Sequence, residues 1–286
     1  GTTEKYLLGI GQTNLYMYDS VAGDYKVIKA NLTTGLRTTA VGFSEGVKSY
    51  FVMTNGTDSV MRFNGKVSTG TVTTTNGDAT VTGSGTQKWK TAGDQDELIA
   101  GARIKLADGL WYTVASITSD TAIELTAVYA GTGAAGQAYS AYAVNNLGGL
   151  STANIAGAEL KGKYITTYKN QLMISGITGY ESWVHVSAYL TGTTWSYTVD
   201  SSGNPTFTNG SGTININTND GQIVTALIPF GNSVQIHKSD IYGTKKSVYS
   251  LTRNVETWTN YPVSTQYAAV SMDGTISTPN AVFFID

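Results

Sequence analysis

The sequence predicts an all-β protein, and three observations lead to this prediction. Charged residues make up only 13% of the chain, and Tyr, Thr and Val, which suit the pleated surface of a sheet, occupy much of the remainder. Short apolar segments alternate with turns that contain Gly or Asn. No stretch shows a sustained 3.6-residue period with capping residues, as an amphipathic helix would.

Residues 1–66 are expected to form the first part of a propeller-like β domain. Their apolar segments are four to six residues long, and polar turns separate them. The clearest turn is Asn55-Gly56-Thr57-Asp58, which lies between two apolar segments and predicts a hairpin. The predicted strands cover residues 5–10, 14–18, 25–28, 49–53 and 59–63.

Residues 67–143 differ in composition, because they are poor in large apolar side chains and rich in Thr, Gly and Ala. Two short turns, Asn76-Gly77-Asp78 and Asp108-Gly109, lie between segments of alternating polarity and predict hairpins. This stretch is long enough to form a domain of its own. We therefore predict a small β barrel or sandwich inserted into the surrounding domain.

Residues 144–286 return to the first composition and are expected to form the second part of the propeller-like domain. Strands are predicted at 164–168 and 171–175, at 183–187, at 222–228 and 233–237, and at 268–271 before a turn at 272–274. The chain ends in an apolar segment, and the backbone groups of a terminal strand need a neighbour. We therefore expect the C-terminus to be truncated relative to a longer chain.

The spacing of these hairpins favours a β-propeller. When residues 67–143 are set aside, the first strands of successive hairpins lie roughly 40 to 60 residues apart, and a four-stranded propeller blade takes about 40–50 residues. The predicted architecture is a β-propeller, or part of one, with a small inserted β domain. An elongated stack of β-sandwiches with the same spacing is the alternative.

Three parts of the chain resemble structural proteins of tailed-bacteriophage virions. Two of them look like propeller blades of such proteins, and the third looks like a small β module inserted in many tail and fibre proteins. The blade-like segments are 164–176 with 183–187 and Trp195, and 220–227 with 232–238 and 240–242; the module-like segment runs from Gly70 to Thr121. The resemblance implies a component of the tail or neck of a virion, whose partners are other virion proteins and further copies of itself in a homo-oligomeric ring.

Composition argues against several other classes of function. The formal net charge is −2 and no Lys/Arg-rich run is present, so binding to nucleic acid is not expected. No run of about 18 apolar residues occurs, so no membrane span is expected. The chain contains no cysteine, so disulfides and thiolate metal sites play no part.

No catalytic residue, metal site or cofactor is predicted, and we expect no enzymatic activity. A glycan-degrading enzyme would need two facing carboxylates, and the candidates are Asp94, Asp96, Glu97, Asp120, Glu124 and Glu181. The two histidines, His185 and His237, lie in alternating strands and are expected to pack there. The oxygen-rich segment 215–221 is the one candidate for Ca²⁺, but it lacks the glutamate of an EF-hand.

The abundant aromatic residues leave a second function open. Trp111, Tyr112, Trp183 and Trp195 could stack on sugars or contact a protein partner, although strands also bury aromatic rings against neighbouring sheets. The leading expectation is a structural component of a phage tail or neck. The alternative is a receptor- or glycan-binding module of a phage fibre or bacterial surface protein, which would contact a host surface glycan.

Overall fold

The computed structural model describes residues 6–11, 13–20, 22–46, 48–91, 96–147, 160–196, 198–199, 201, 205–207, 210–254, 257–279 and 281–284. Within these ranges the chain forms 25 β-strands, one three-residue 3-10 helix and no α-helix. The all-β class predicted from the sequence is therefore confirmed. In the same ranges no helix has the length and hydrophobicity to cross a membrane.

The strands are short, as expected for a chain with turn residues at close intervals. The 3-10 helix, η1 (Met272–Gly274), follows the twenty-third strand. In chain order the strands are β1 (Leu8–Gly11), β2 (Asn14–Asp19), β3 (Asp24–Lys29), β4 (Thr39–Glu45), β5 (Lys48–Thr54), β6 (Met61–Val67), β7 (Val72–Thr74), β8 (Thr80–Gly83), β9 (Arg103–Lys105), β10 (Trp111–Ser119), β11 (Ala122–Leu125), β12 (Ala134–Gln137), β13 (Ser140–Asn146), β14 (Tyr164–Tyr168), β15 (Gln171–Ser175), β16 (Trp183–Val186), β17 (Thr198–Val199), β18 (Pro205–Thr206), β19 (Gly212–Asn215), β20 (Ile223–Phe230), β21 (Ser233–Ser239), β22 (Lys246–Asn254), β23 (Thr257–Ser264), β24 (Thr275–Ser277) and β25 (Val282–Phe284).

The chain divides into two compact units, each assembled from two separate stretches. The first unit comprises Gly1–Leu36 and Met61–Asn146, and the second comprises Arg37–Val60 and Leu147–Asp286. The inserted domain predicted from composition covers residues 67–143, and these bounds differ from those of the compact units. The inserted domain remains a prediction.

The first unit contains two antiparallel arrangements of strands. β1, β2 and β3 form a three-stranded meander. The other strands follow the order β12-β7-β8-β11-β10-β9-β13-β6. The hairpin predicted at Asn76-Gly77 joins β7 to β8, and Gly77 has a φ of 78°, a conformation that glycine adopts at little cost.

The core of the larger arrangement in the first unit surrounds a buried tryptophan. Trp89 is fully buried, and its Nε1–H donates to the hydroxyl of Tyr139 at 3.3 Å. The Tyr139 hydroxyl in turn donates to the carbonyl of Thr69 at 3.0 Å, and burial raises the pKa of Tyr139 to about 12. The described members of this cluster all come from residues 67–141. This stretch therefore carries a hydrophobic core of its own.

Among its described residues, the second unit contains two four-stranded antiparallel sheets and three further strand pairings. The sheets have the orders β14-β15-β16-β19 and β20-β21-β22-β23. The pairs are β4 with β5, β17 with β18, and β24 with β25. Across the described ranges none of the sheets closes into a barrel. The arrangement of these sheets as propeller blades remains a prediction.

Strand β15 lies between two hydrophobic clusters of the second unit. All five of its residues are buried, which requires cover on both faces of the strand. Leu172 and Ile174 belong to the cluster that contains Phe43 and Trp195. Met173, which points to the opposite face, belongs to the cluster built largely on β16 and β20–β22. This strand is therefore central to the packing of the unit.

The strand predicted at residues 268–271 does not form. Ala269 donates its N–H to His237 Nδ1 at 2.9 Å, and its carbonyl accepts from the hydroxyl of Thr225 at 2.6 Å. Because side chains satisfy both backbone groups, this segment needs no partner strand. The predicted turn at 272–274 is the helix η1, whose first turn is capped by Ser271 Oγ accepting from Asp273 N at 3.3 Å.

Candidate functional site

The two aromatic residues predicted as contact residues in the first unit are adjacent on β10 but differ in exposure. Trp111 is half-buried, and its ring stacks on that of Tyr142 at 5.3 Å between centroids. Tyr112 is buried in the core. Its hydroxyl lies 2.6 Å from Asp108 Oδ2 and accepts from Ala130 N at 3.1 Å. Trp111 therefore retains exposed ring surface, whereas Tyr112 presents none.

The two tryptophans predicted as contact residues in the second unit differ in the same way. Trp195 is buried, and its Nε1–H donates to the carbonyl of Gly192 at 2.7 Å. Trp183 is half-buried, and its ring lies 5.1 Å from that of Tyr180. Contact with a sugar or partner in this unit would therefore involve Trp183 rather than Trp195.

Both histidines are buried in the second unit. His185 Nδ1 lies 3.0 Å from Thr213 Oγ1, and burial lowers the pKa of His185 to about 4. His237 Nδ1 accepts from Ala269 N, and burial lowers its pKa to about 4 as well. The Nε2 atoms of both rings have no hydrogen-bond partner among the described residues. Both rings are therefore neutral near pH 7 and act as packing groups.

The segment 215–221, the candidate for Ca²⁺, encloses a lysine side chain instead. Lys238 Nζ donates to the carbonyls of Ile216 at 2.5 Å and Asn217 at 2.9 Å. It also lies 2.9 and 2.8 Å from the two carboxylate oxygens of Asp220. The ammonium group thus uses the oxygen atoms that a cation would need. Elsewhere in the described ranges no group of three His, Cys, Asp or Glu side chains could hold a metal ion.

Two of the carboxylates considered for catalysis accept hydrogen bonds from segments distant in sequence. Asp120 accepts from the hydroxyl of Thr91 at 2.9 Å and from Lys90 N, and the Thr91 bond is the main cause of its lowered pKa. Glu124 accepts from Thr80 Oγ1 at 3.0 Å. These bonds connect the turn after β10 to residues 90 and 91, and β11 to β8.

The remaining carboxylate candidates are placed as follows. Glu97 lies 3.4 Å from the buried Arg62, and Asp96 is itself buried. Glu181 accepts from Gly179 N at 3.0 Å. Asp94 lies outside the described residues.

Exposed apolar side chains are concentrated in the last part of the second unit. Of the nineteen large apolar side chains that are exposed in the described ranges, eight lie between residues 241 and 283. Sequence reasoning missed this surface, because periodicity alone does not reveal which face of a short strand remains uncovered. We call these eight side chains the C-terminal apolar set: Ile241, Tyr242, Tyr261, Val263, Tyr267, Val270, Ile276 and Phe283.

The hairpin β24–β25 shows how the second unit exposes two members of this set. Ile276 and Phe283 lie directly opposite each other in the ladder and are 62% and 59% exposed. The other face packs inward, where the ring of Phe284 lies 5.0 Å from that of His237 and Ser277 Oγ donates to Pro229 O at 3.1 Å. Because residues in a strand alternate between its faces, packing Phe284 inward turns Phe283 outward.

Strand β23 is the exposed edge of its sheet. One side pairs with β22, and the other has no partner strand among the described residues. Tyr261 and Val263 are 49% and 56% exposed on the same face. Pro262, between them, lacks an N–H and limits the addition of a further strand at this point. The edge therefore offers side-chain contacts more readily than continuous strand pairing.

The turn between β21 and β22 exposes two further apolar side chains. Ile241 and Tyr242 are 77% and 81% exposed, the highest values among the large apolar residues that the structure describes. Asp240 organises the turn by accepting from Thr244 N at 2.7 Å. A Cβ atom at Gly243 would lie 3.9 Å from Val270 Cγ1, so the turn lies beside another member of the apolar set.

Comparison with known proteins adds no assignment. The sequence matches no protein-family model and no curated protein.

Proposed function

We propose that this chain is a structural component of a tailed-phage virion, in the tail or neck, and that it acts through protein–protein contacts. The observation that carries this proposal is the C-terminal apolar set. Exposed apolar side chains that lie close together are typical of interaction sites, and within this set Ile276 lies opposite Phe283 and the turn at Gly243 lies beside Val270. In this reading they pack against a neighbouring subunit, either another virion protein or another copy of the chain.

A homo-oligomeric ring is the arrangement we propose for these copies. Ring closure requires a heterologous contact, in which one surface of a subunit meets a different surface of the next. The edge strand β23 and the hairpin β24–β25 would supply one of these surfaces. Interfaces of this kind use Tyr and aliphatic anchors with few buried charges, which agrees with the composition of the apolar set.

The finer architecture belongs to the same proposal. The second unit carries two four-stranded antiparallel sheets, which is the form of a propeller blade. Residues 67–141 carry a separate hydrophobic core, as an inserted β barrel or sandwich would. These features support a β-propeller, or part of one, with a small inserted β domain.

We further propose that the chain is not an enzyme. The carboxylates Asp120 and Glu124 accept hydrogen bonds from Thr91 and Thr80, and the two histidines are buried and neutral near pH 7. A general acid or base needs a pKa close to the working pH and access to substrate. The buried histidines offer neither.

The second candidate function is a receptor- or glycan-binding module of a phage fibre or bacterial surface protein. The half-buried rings of Trp111 and Trp183 favour it, because an exposed ring face can stack on a sugar. Binding of purified host polysaccharide that is lost in Trp183→Ala, while the variant remains folded at the assay temperature, would favour this function over the first.

Quantitative mass spectrometry of gradient-purified phage particles tests the structural proposal. The expected result is that peptides of this chain co-purify with capsid and tail proteins in a constant ratio that corresponds to several copies per particle. Peptides that remain with the unassembled protein fraction, at less than one copy per particle, would contradict it.

A further inference from the structure

The turn between β14 and β15 borders an open depression on the second unit. Lys169 and Asn170 form this two-residue turn with φ angles of 47° and 60°, the left-handed conformation that such hairpin turns require. Together with Tyr189 and Arg253 they line a volume of about 410 Å³. This volume falls within the size range of small-molecule sites, roughly 300–1,000 Å³.

The four lining side chains hold one another in position. The guanidinium carbon of Arg253 lies 6.0 Å from the ring centroid of Tyr189, and Asn170 Nδ2 donates to the Tyr189 hydroxyl at 3.2 Å. Lys169 Nζ donates to the carbonyl of Arg253 at 3.2 Å, and Arg253 Nη1 donates to Gln171 Oε1. A ligand would therefore meet groups that are already ordered, which lowers the entropic cost of binding.

The depression carries positive charge. Among the ion pairs formed by described residues, none involves Lys169 or Arg253. The Nε atom of Arg253 is buried and has no hydrogen-bond partner within the described ranges. Arginine and lysine side by side are well suited to a carboxylate or a similar anion, which forms charge-assisted hydrogen bonds with both.

The side chains that line the depression also indicate which uncharged groups the ligand has. None of the described residues that line the depression is aliphatic, and their amide and phenol groups match the hydroxyls of a polyol. The ring of Tyr189 is 49% exposed and can lie against the C–H face of a sugar. The ligand class that fits is therefore an anion with many hydroxyl groups.

A second, smaller depression borders the same turn. Its volume is about 290 Å³, and it shares Lys169 and Asn170 with the first. The side chains of Ser44 and Thr167 contribute hydroxyl groups to its lining. Because the two depressions share a turn, two consecutive units of one linear ligand could occupy them.

We propose that the depression at Lys169, Asn170, Tyr189 and Arg253 binds the carboxylate-bearing unit of an acidic saccharide, whose next unit occupies the depression at Ser44 and Thr167. An acidic peptide could satisfy the two cations and offer its backbone amides to the lining, but a sugar ring adds a C–H face for the exposed ring of Tyr189. The proposal is independent of the assembly role, since it uses no member of the C-terminal apolar set.

Titration calorimetry with three probes tests the proposal. The probes are a trimer of galacturonic acid, the neutral galactose trimer and a short oligoglutamate peptide. We expect the acidic trisaccharide to bind at least tenfold more tightly than the neutral one, because a lost charge-assisted contact is worth about tenfold or more in affinity. Raising the salt concentration should weaken binding, as expected for exposed charges.

Two variants and a control locate the site. Lys169→Asn removes a charge while keeping a residue that tolerates positive φ, and it should weaken binding of the acidic trisaccharide about tenfold. Tyr189→Ala should weaken binding of the trisaccharide severalfold. Lys245→Asn removes a charge from another exposed turn of the same unit and should leave the affinity unchanged. Melting temperatures of all three variants should match that of the parent chain.

Three results would overturn the proposal. The first is an absence of saccharide binding at millimolar concentrations by the folded parent chain. The second is binding that neither Lys169→Asn nor Tyr189→Ala weakens. The third is tighter binding of oligoglutamate than of the acidic trisaccharide with the same dependence on Lys169, which would assign the depression to an acidic peptide.

Discussion

Lys238 Nζ lies 2.8 Å from Asp220 Oδ2 at a position where the lysine side chain is fully buried and the aspartate is 15% exposed. Burial lowers the pKa of Lys238, and the hydrogen bond and charge of Asp220 oppose this shift. The two backbone carbonyls of Ile216 and Asn217 complete the acceptors around the ammonium. The pair thus joins the loop after β19 to strand β21.

Replacing Asp220 with Asn should destabilise the fold by about 3–5 kcal/mol, because a buried ammonium would lose its counter-charge. The double variant Asp220→Asn/Lys238→Met should lose less than the sum of the two single changes. Urea unfolding of the four proteins measures the coupling between the residues. Additive single effects would contradict a direct interaction in the folded state.

Added Ca²⁺ should leave the melting temperature unchanged. The loop 215–221 directs two carbonyls and a carboxylate to an ammonium that already occupies the position of a cation. A ligand stabilises a fold only if it binds the folded state more tightly than the unfolded state. Thermal unfolding with millimolar Ca²⁺ and with chelator provides the comparison, and a Ca²⁺-dependent rise would show that a metal displaces the lysine.

Stability should fall as the pH decreases from about 6.5 to about 4. The folded pKa of His185 and of His237 is about 4, below the ordinary value of 6.5, so the unfolded chain binds more protons in this window. Each histidine then reduces the free energy of unfolding by about 3 kcal/mol near pH 4. Urea unfolding across this pH range measures the loss.

His237→Gln serves as the control for this pH dependence, because its side-chain oxygen can still accept from Ala269 N and does not titrate. It should remove about half of the slope contributed by the histidines. A stability that is flat or rising between pH 6.5 and 4 would show that the buried rings are not neutral.

Ile276→Ser and Phe283→Ser should weaken association while leaving the fold intact. Both side chains are exposed, so each change should alter the free energy of unfolding by less than about 0.5 kcal/mol. Anchor residues of interfaces commonly contribute more than about 1.4 kcal/mol, which is tenfold in affinity. Sedimentation velocity measures the association, and Leu110→Ser, an equally exposed change in the other unit, should behave like the parent chain.

Trp195→Ala should destabilise the fold by about 3–5 kcal/mol, because the ring is buried and its N–H is bonded to Gly192. Trp183→Ala should cost less, since this ring is half-buried. Thermal unfolding of both variants tests the difference. Equal losses would mean that Trp183 contributes as much to the core as Trp195.

Local pattern predicted the hairpins of the second unit well. Strands β14 and β15 have the predicted bounds, because the apolar segments on both sides of Lys169-Asn170 alternate in register with a two-residue turn. The strand predicted at 268–271 was wrong: Thr225 and His237, more than thirty residues away, satisfy the backbone groups of Ala269 within it. Hydrogen bonds between residues so distant in sequence cannot be predicted from the local pattern of apolar and polar residues.

The exposure of the predicted site residues also depends on contacts that the local sequence does not reveal. Composition identifies Trp111, Tyr112, Trp183 and Trp195 as aromatic side chains in strands, but only packing decides which of them keep an exposed ring. The exposed pair Ile276–Phe283 depends on which face of β24–β25 covers His237. Similarly, the oxygen atoms of residues 215–221 suggested a cation site, and the lysine that occupies it lies on another strand.

A density map of the tailed-phage particle that contains this chain tests the central proposal most directly, because it fixes the neighbours of the chain and the number of copies together. The proposal predicts symmetric copies in the tail or neck, with Ile276, Phe283 and the β23 edge buried against an adjacent subunit. A map in which these residues face solvent in every copy, or in which the chain lies outside the tail and neck, would contradict it.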